Sequence, residues 1–174
     1  MAINTKDYGR MTAVAAENSH IEISGTVLAV IYHSEESGYT VLRLEDQDGG
    51  KITVTGCMPL PTPGEQLTVR GHWSRHPVHG EQFKAVYAQL SMPKGAEAIY
   101  EYLASGAVRG IGPATAALIV SRFGEDSLDI IENHPEKLAE IKGIGPRRAG
   151  EMSESLRRQA GLRRIMEFLA AYGL

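Results

Sequence analysis

The chain has a single cysteine, Cys57, among 174 residues, so it forms no internal disulfide and has no Cys-x-x-Cys pair for zinc or redox chemistry. Long apolar runs are also missing. The longest, residues 27–32, has six members, against about 20 for a bilayer-spanning helix. A membrane is therefore not an expected partner. The first residues mix Asn4, Lys6, Asp7 and Arg10 with isolated apolar side chains and lack the apolar stretch of a secretory signal, which makes the cytoplasm the expected location. No Gly-x-x-x-x-Gly-Lys-Ser/Thr loop occurs: Gly49-Gly50-Lys51 is followed by Ile52 where a magnesium-binding hydroxyl would stand, so it reads as a hairpin turn. The chain is not expected to hydrolyse ATP. Net charge is small as well, −3 from 18 basic and 21 acidic residues.

What remains is an ordinary folding composition, 43% hydrophobic and 22% charged, long enough for one domain or two small ones. Residues 1–19 show no periodicity and read as a flexible leader. From Ile21 the apolar residues alternate. Ile21, Ile23, Val27, Ala29 and Ile31 mark a first strand, Tyr39 to Leu44 a second, Ile52 and Val54 a third, Leu67 and Val69 a fourth, and Phe83, Ala85 and Tyr87 a fifth. Turns fall at Ser37-Gly38, Asp48-Gly49-Gly50, Pro61 to Gly64 and His79-Gly80. Five short strands over residues 20–91 hide their edges by closing into a small barrel, OB-like or alternatively SH3-like. Pro59, Pro61 and Pro63 exclude a helix between the third and fourth strands.

After Pro93 the period becomes helical. Ile99 and Leu103, Ala116 and Val120, Leu128 and Ile131, Met152 and Leu156, then Ile165 and Leu169 fall on successive helix faces. Residues 94–174 thus read as an all-α unit of helices of about 8 to 12 residues joined by glycine turns. The fold class is α+β, with two domains expected to fold independently across a boundary near residues 91–94.

The helical half repeats itself. Val108-Arg109-Gly110-Ile111-Gly112-Pro113 returns 33 residues on as Ile141-Lys142-Gly143-Ile144-Gly145-Pro146. Glycines permit a turn that needs positive φ, and proline suits the first helical position. Each copy thereby exposes a bare helix amino terminus, whose free N–H groups attract phosphate. This is the pattern of a helix-hairpin-helix turn. The candidate DNA-binding residues are Arg109, Gly110, Ile111 and Gly112 in the first copy and Lys142, Gly143, Ile144, Gly145, Arg147 and Arg148 in the second. Because residues 142–164 hold seven basic side chains against Glu151 and Glu154, the second copy is the expected stronger grip, with Arg147 and Arg148 as an exposed pair of little structural weight.

Other residues read as structural. His72, His76 and His79 surround a hairpin with no cysteine nearby and are turn residues rather than metal ligands. Trp73, Tyr39, Phe83 and Tyr87 lie on strands, where they either pack the barrel or stack bases. No catalytic residue and no metal site is expected.

Gly25-Thr26-Val27, Ser37 to Leu42, Pro63-Gly64-Glu65, Gly71-His72-Trp73, Gln82-Phe83, Ile99 to Leu103, Arg109 to Gly112, Leu128 to Ile131 and Gly143-Ile144-Gly145 together resemble the amino-terminal region of the RecD-like (RecD/TraA) DNA helicases. The resemblance covers residues 20–174. It implies an OB-like part and a tandem helix-hairpin-helix part, truncated before a superfamily-1 motor that unwinds DNA 5′ to 3′ with ATP and magnesium and serves in repair and recombination. The fragment itself would need no cofactor. Two functions follow as expectations. One is a non-catalytic accessory module that binds the phosphates of single-stranded, duplex or forked DNA without sequence preference; the other is a docking module for a repair or single-strand-binding protein.

Overall fold

The computed structural model of the chain describes residues 20–173; the expected leader, residues 1–19, lies outside them. Five strands, β1 (Ile21–His33), β2 (Tyr39–Asp46), β3 (Lys51–Cys57), β4 (Gln66–His76) and β5 (Gly80–Ser91), close into a barrel in the order β1-β2-β3-β5-β4. Neighbours are antiparallel except β3 and β5, which run parallel at Val54↔Phe83 and Thr55↔Lys84. This is the OB-type barrel of the two that the strand count allowed. β1 serves two partners, β4 through Ile21 to Thr26 and β2 through Gly25 to His33, and its register shifts between Val27/Ala29 and Val30/Tyr32. Such bulges bend a strand enough to close a small barrel.

Alternation along the strands sends Val27, Leu42, Leu44, Val54, Leu67, Val69, Phe83 and Leu90 inward, all at most 5% exposed. Each such side chain stabilises the fold by roughly 1.5–3 kcal/mol on burial. Trp73 packs edge-on against Phe83, ring centroids 5.4 Å apart.

The helical half comprises α1 (Ala96–Ala104), α2 (Pro113–Phe123), a 3₁₀ turn (Gly124–Asp126), α3 (Ser127–Asn133), α4 (Pro135–Leu138) and α5 (Pro146–Ala171). Its separate core holds Ile99, Tyr102, Leu103, Ile119, Ile131, Leu138, Met152 and Leu156. The expected run of helices of similar length is corrected here. α5 is continuous over 26 residues and absorbs both of the last two helical faces, whereas α3 and α4 have 7 and 4. Helical propensity at the flanks and burial of Leu156 and Ala160 carry the helix through Gly161, a residue that costs only about 1 kcal/mol against alanine.

The two cores are joined more tightly than the change of period implied. The proline-rich segment between β3 and β4 forms no helix and instead docks on α1. Gly64 has φ +89°, and a Cβ there would collide with the Ala98 carbonyl and the Tyr102 backbone. Beside it Glu65 is 1% exposed, and Arg163 of α5 donates to it through Nε at 2.7 Å and a second guanidinium nitrogen at 2.9 Å, reaching the Leu60 carbonyl as well at 2.8 Å. Burial of Tyr102 at this junction, reinforced by the Glu65 carboxylate and opposed by Arg163, holds its hydroxyl pKa well above the usual tyrosine range.

Candidate nucleic-acid interface

The two repeated turns have nearly the same geometry. In each, the flanking apolar residues anchor the loop, Val108 and Ile111 in the first and Ile141 and Ile144 in the second, all at most 7% exposed. Backbone bonds Ile111 N–H to Val108 O (3.2 Å) and Ile144 N–H to Ile141 O (3.0 Å) close both turns. The central glycines sit at φ +87° (Gly110) and +96° (Gly143), a region closed to most side chains. Gly112 and Gly145 then take extended backbone as the N-caps of α2 and α5, with proline following and no side-chain cap. Each cap carbonyl accepts the first helical bond, from Ala116 and Ala149 respectively, both at 2.9 Å. The N–H groups of Ala114 and Thr115, and of Arg147 and Arg148, have no intrahelical carbonyl within reach by the geometry of a helix start. Two bare, partly positive helix termini are the result.

Arg148 brings the turns together. Its guanidinium donates to the Gly143 carbonyl (3.1 Å), the Gly110 carbonyl (2.9 Å) and Thr115 Oγ1 (3.3 Å). One planar group thus spans both copies, and the glycines named from the sequence lie side by side. Arg148 is exposed as expected, but its guanidinium is engaged across both turns instead of standing free beside Arg147. Sequence spacing shows a charge next to Gly145 but not the carbonyl 38 positions upstream that the charge meets.

The remaining candidates are open. Arg147 has a side chain 94% exposed and a loose ion pair with Glu151 at 3.6 Å. Lys142 and Arg109 are exposed, and the Arg109 backbone N–H donates to Ser155 Oγ of α5 at 3.0 Å. The basic cluster of residues 142–164 is less available than its composition implied. Arg157 donates to the Glu132 carbonyl, Arg164 pairs with the Glu132 carboxylate, and Arg163 is committed to Glu65. Lys142, Arg147 and Arg158 are left exposed.

Of the four ring candidates on the barrel, Phe83 is sealed in the core and Trp73 leans on it. Tyr87 lies beneath the Arg70 guanidinium, 4.3 Å from it. Tyr39 stays open at 42% exposure. His76 Nδ1 accepts the N–H groups of Val78 and His79, both at 3.1 Å, and so organises the β4–β5 turn.

Two family models match the chain, the OB-fold domain of the ATP-dependent DNA helicase YrrC over residues 20–93 and a SAM-like helix-hairpin-helix tandem over residues 100–158. The ATP-dependent RecD2 DNA helicase of Deinococcus radiodurans is 30% identical over 162 residues, 87% of this chain. The chain matches the amino-terminal region of RecD-like helicases. It spans 22% of the length of that relative. Among solved structures, this RecD-like region is similar over 41% of its length to a chain of the S. pombe Stn1–Ten1 complex, of which 57% is covered (TM-score 0.32, 19% identity). It is similar over 42% to the OB-fold domain of the heme chaperone CcmE from Desulfovibrio vulgaris, 86% covered (TM-score 0.33, 23% identity). A chain of a replication protein A heterotrimer bound to single-stranded DNA, 58% covered, aligns over 42% (TM-score 0.34, 9% identity). Among the described residues no helix is long and apolar enough to cross a membrane.

Proposed function

We propose that this region is a non-catalytic accessory module of a RecD-like helicase that holds DNA by its phosphates. The observation carrying the reading is the pair of uncapped helix starts at Gly112-Pro113 and Gly145-Pro146, locked side by side by Arg148. Backbone N–H groups and helix dipoles at such termini favour an anion, and the flat glycine surface lets a sugar–phosphate backbone approach. Contacts of this kind position a duplex or strand without reading its sequence. Lys142 and Arg147 supply the side-chain charge. ATP-driven unwinding, with its magnesium, belongs to the motor of a longer protein.

A second reading, docking on a repair or single-strand-binding protein, is favoured by the apolar end of α5, where Leu162, Ile165 and Phe168 are each about 60% exposed. Titration of labelled single-stranded, duplex and forked DNA at two salt concentrations separates the two. Replacing Lys142 and Arg147 together by alanine is expected to weaken binding alike for all sequences and to flatten the salt slope by about one to two units. Unchanged affinity and slope would leave the helix-hairpin-helix turns structural and favour the docking module.

A further inference from the structure

The first of the two repeated turns is held from outside its own hairpin. Three of its backbone groups are engaged by α5, the helix that follows the second turn. Ser155 Oγ accepts the Arg109 N–H at 3.0 Å, Gln159 Nε2 donates to the Ala107 carbonyl at 2.9 Å, and Arg148 reaches the Gly110 carbonyl at 2.9 Å. Met152, fully buried, packs beneath Gly110, where an added Cβ would stand 3.7 Å from its Cε. Residues 148, 152, 155 and 159 recur at helical spacing and share one face of α5. A single stripe of that helix therefore follows the first turn from residue 107 to residue 110.

The repeat makes the exchange between the two copies unequal. Shifted back by its 33 residues, Ser155 corresponds to Arg122 of α2. Arg122 crosses toward the second turn but meets only the Glu140 carboxylate, at 3.1 Å between side chains 51% and 59% exposed, and an ion pair so open to water contributes little. Among the described residues no α2 side chain bonds the backbone of the second turn. Ser155 is different. It is buried, and the N–H that it accepts belongs to Arg109, whose side chain is exposed. Val108 before Arg109 is sealed in the core and Gly110 after it sits on Met152. The backbone on either side is fixed, and the guanidinium projects outward.

We infer that Ser155 and Gln159 are positioning residues for the first phosphate grip, which present Arg109 to the nucleic-acid backbone from α5. The inference rests on the phosphate-binding reading and adds that the first turn is a ligand site in its own right, with Arg109 standing where Lys142 stands in the second. Each turn then gives one basic side chain to the same backbone. A long side chain on a fixed turn has less freedom to lose on meeting a phosphate than one on a loose loop. The first grip therefore depends on a serine and a glutamine that carry no charge and touch no DNA, while Lys142 has no such support from α2.

The test uses the whole chain and a labelled duplex titrated at several salt concentrations. Arg109→Ala is expected to flatten the salt slope by about one unit, the loss of one phosphate contact. Ser155→Ala is expected to do the same although it removes no charge. Adding R109A to S155A is then expected to cost nothing more, whereas K142A still removes its own unit in the S155A background. General loosening of the fold would lower both contributions together, so the pattern separates positioning from a merely structural role. Gln159→Met, close in shape and without the donor, is expected to weaken the Arg109 contribution alone, and it carries the test if thermal unfolding shows that S155A does not fold. If K142A weakens binding while R109A has no effect, or keeps its full effect in S155A and Q159M, the inference falls and the phosphate reading stands. Loss of the Lys142 contribution in S155A overturns it as well. If neither R109A nor K142A changes affinity or slope, both fall.

Discussion

Arg147 and Arg148 are adjacent, carry the same charge and do different work. Arg147 projects into solvent, whereas Arg148 ties together two turns whose central glycines are 33 positions apart. Arg148→Ala is expected to destabilise the protein by about 1 kcal/mol, the net scale of an ordinary hydrogen bond, since its contacts are exposed to solvent, and to weaken DNA binding by loosening the alignment of the helix starts. Arg147→Ala is expected to leave the melting temperature unchanged and to reduce only the salt-dependent part of binding. Thermal unfolding beside a DNA titration distinguishes them, and equal losses of stability would remove the pin. Lysine at 148 is no substitute, because an ammonium lacks the planar fork that meets two carbonyls at once. Residue spacing made the turns and their glycines legible. It could not separate the two arginines, because the acceptors of Arg148 are backbone carbonyls, one of them contributed by the other repeat.

Glycine behaves oppositely at two places in the same helical half, and the difference is set by the element rather than the residue. Gly143 closes a turn at φ +96°, while Gly161 lies inside α5 with ordinary helical backbone; a Cβ at either would meet nothing within 4 Å. Space is therefore not the deciding variable. Gly161→Ala is expected to raise stability by about 0.5–1 kcal/mol, and Gly143→Ala to lower it and to disturb the adjacent proposed phosphate grip. Urea unfolding of the two variants checks both signs. Strand positions were readable from period-two alternation because the barrel has a single interior that each strand must face, except past Val27 in β1, where bulges break the alternation and leave Ala29 and Ile31 outside. The length of α5 was not, because its second half is held by Arg163 on Glu65 and Arg164 on Glu132 rather than by a buried stripe.

At the level of the molecule, the barrel and the helices keep separate cores but meet through a nearly sealed ion pair. Glu65 is 1% exposed and the Arg163 side chain 13%. Removing one partner of such a pair leaves a charge without compensation and costs about 3–5 kcal/mol. Arg163→Ala is therefore expected to lower the melting temperature and to split one cooperative transition into two, with protease cleavage near residues 91–95 appearing only in the variant. Calorimetry and limited proteolysis read this directly. A wild-type chain already cut there into two protected pieces would mean that the halves are independent after all. The expectation of independence came from a change in periodicity, which reports where secondary structure switches and is blind to a contact formed by residues 98 positions apart.

α5 begins at the proposed second phosphate grip and is clamped to the barrel at Arg163. Between Pro146 and Arg163 it advances about 26 Å at 1.5 Å per residue. An α-helix resists axial strain, so this stretch acts as a strut. Load applied at the Gly145-Pro146 end, where the proposed function puts DNA, would be delivered along the helix to Glu65 instead of being dissipated in a hinge. The spacing is comparable to about eight base-pair steps at 3.4 Å each, and the strut sets the barrel at that distance from the helix start.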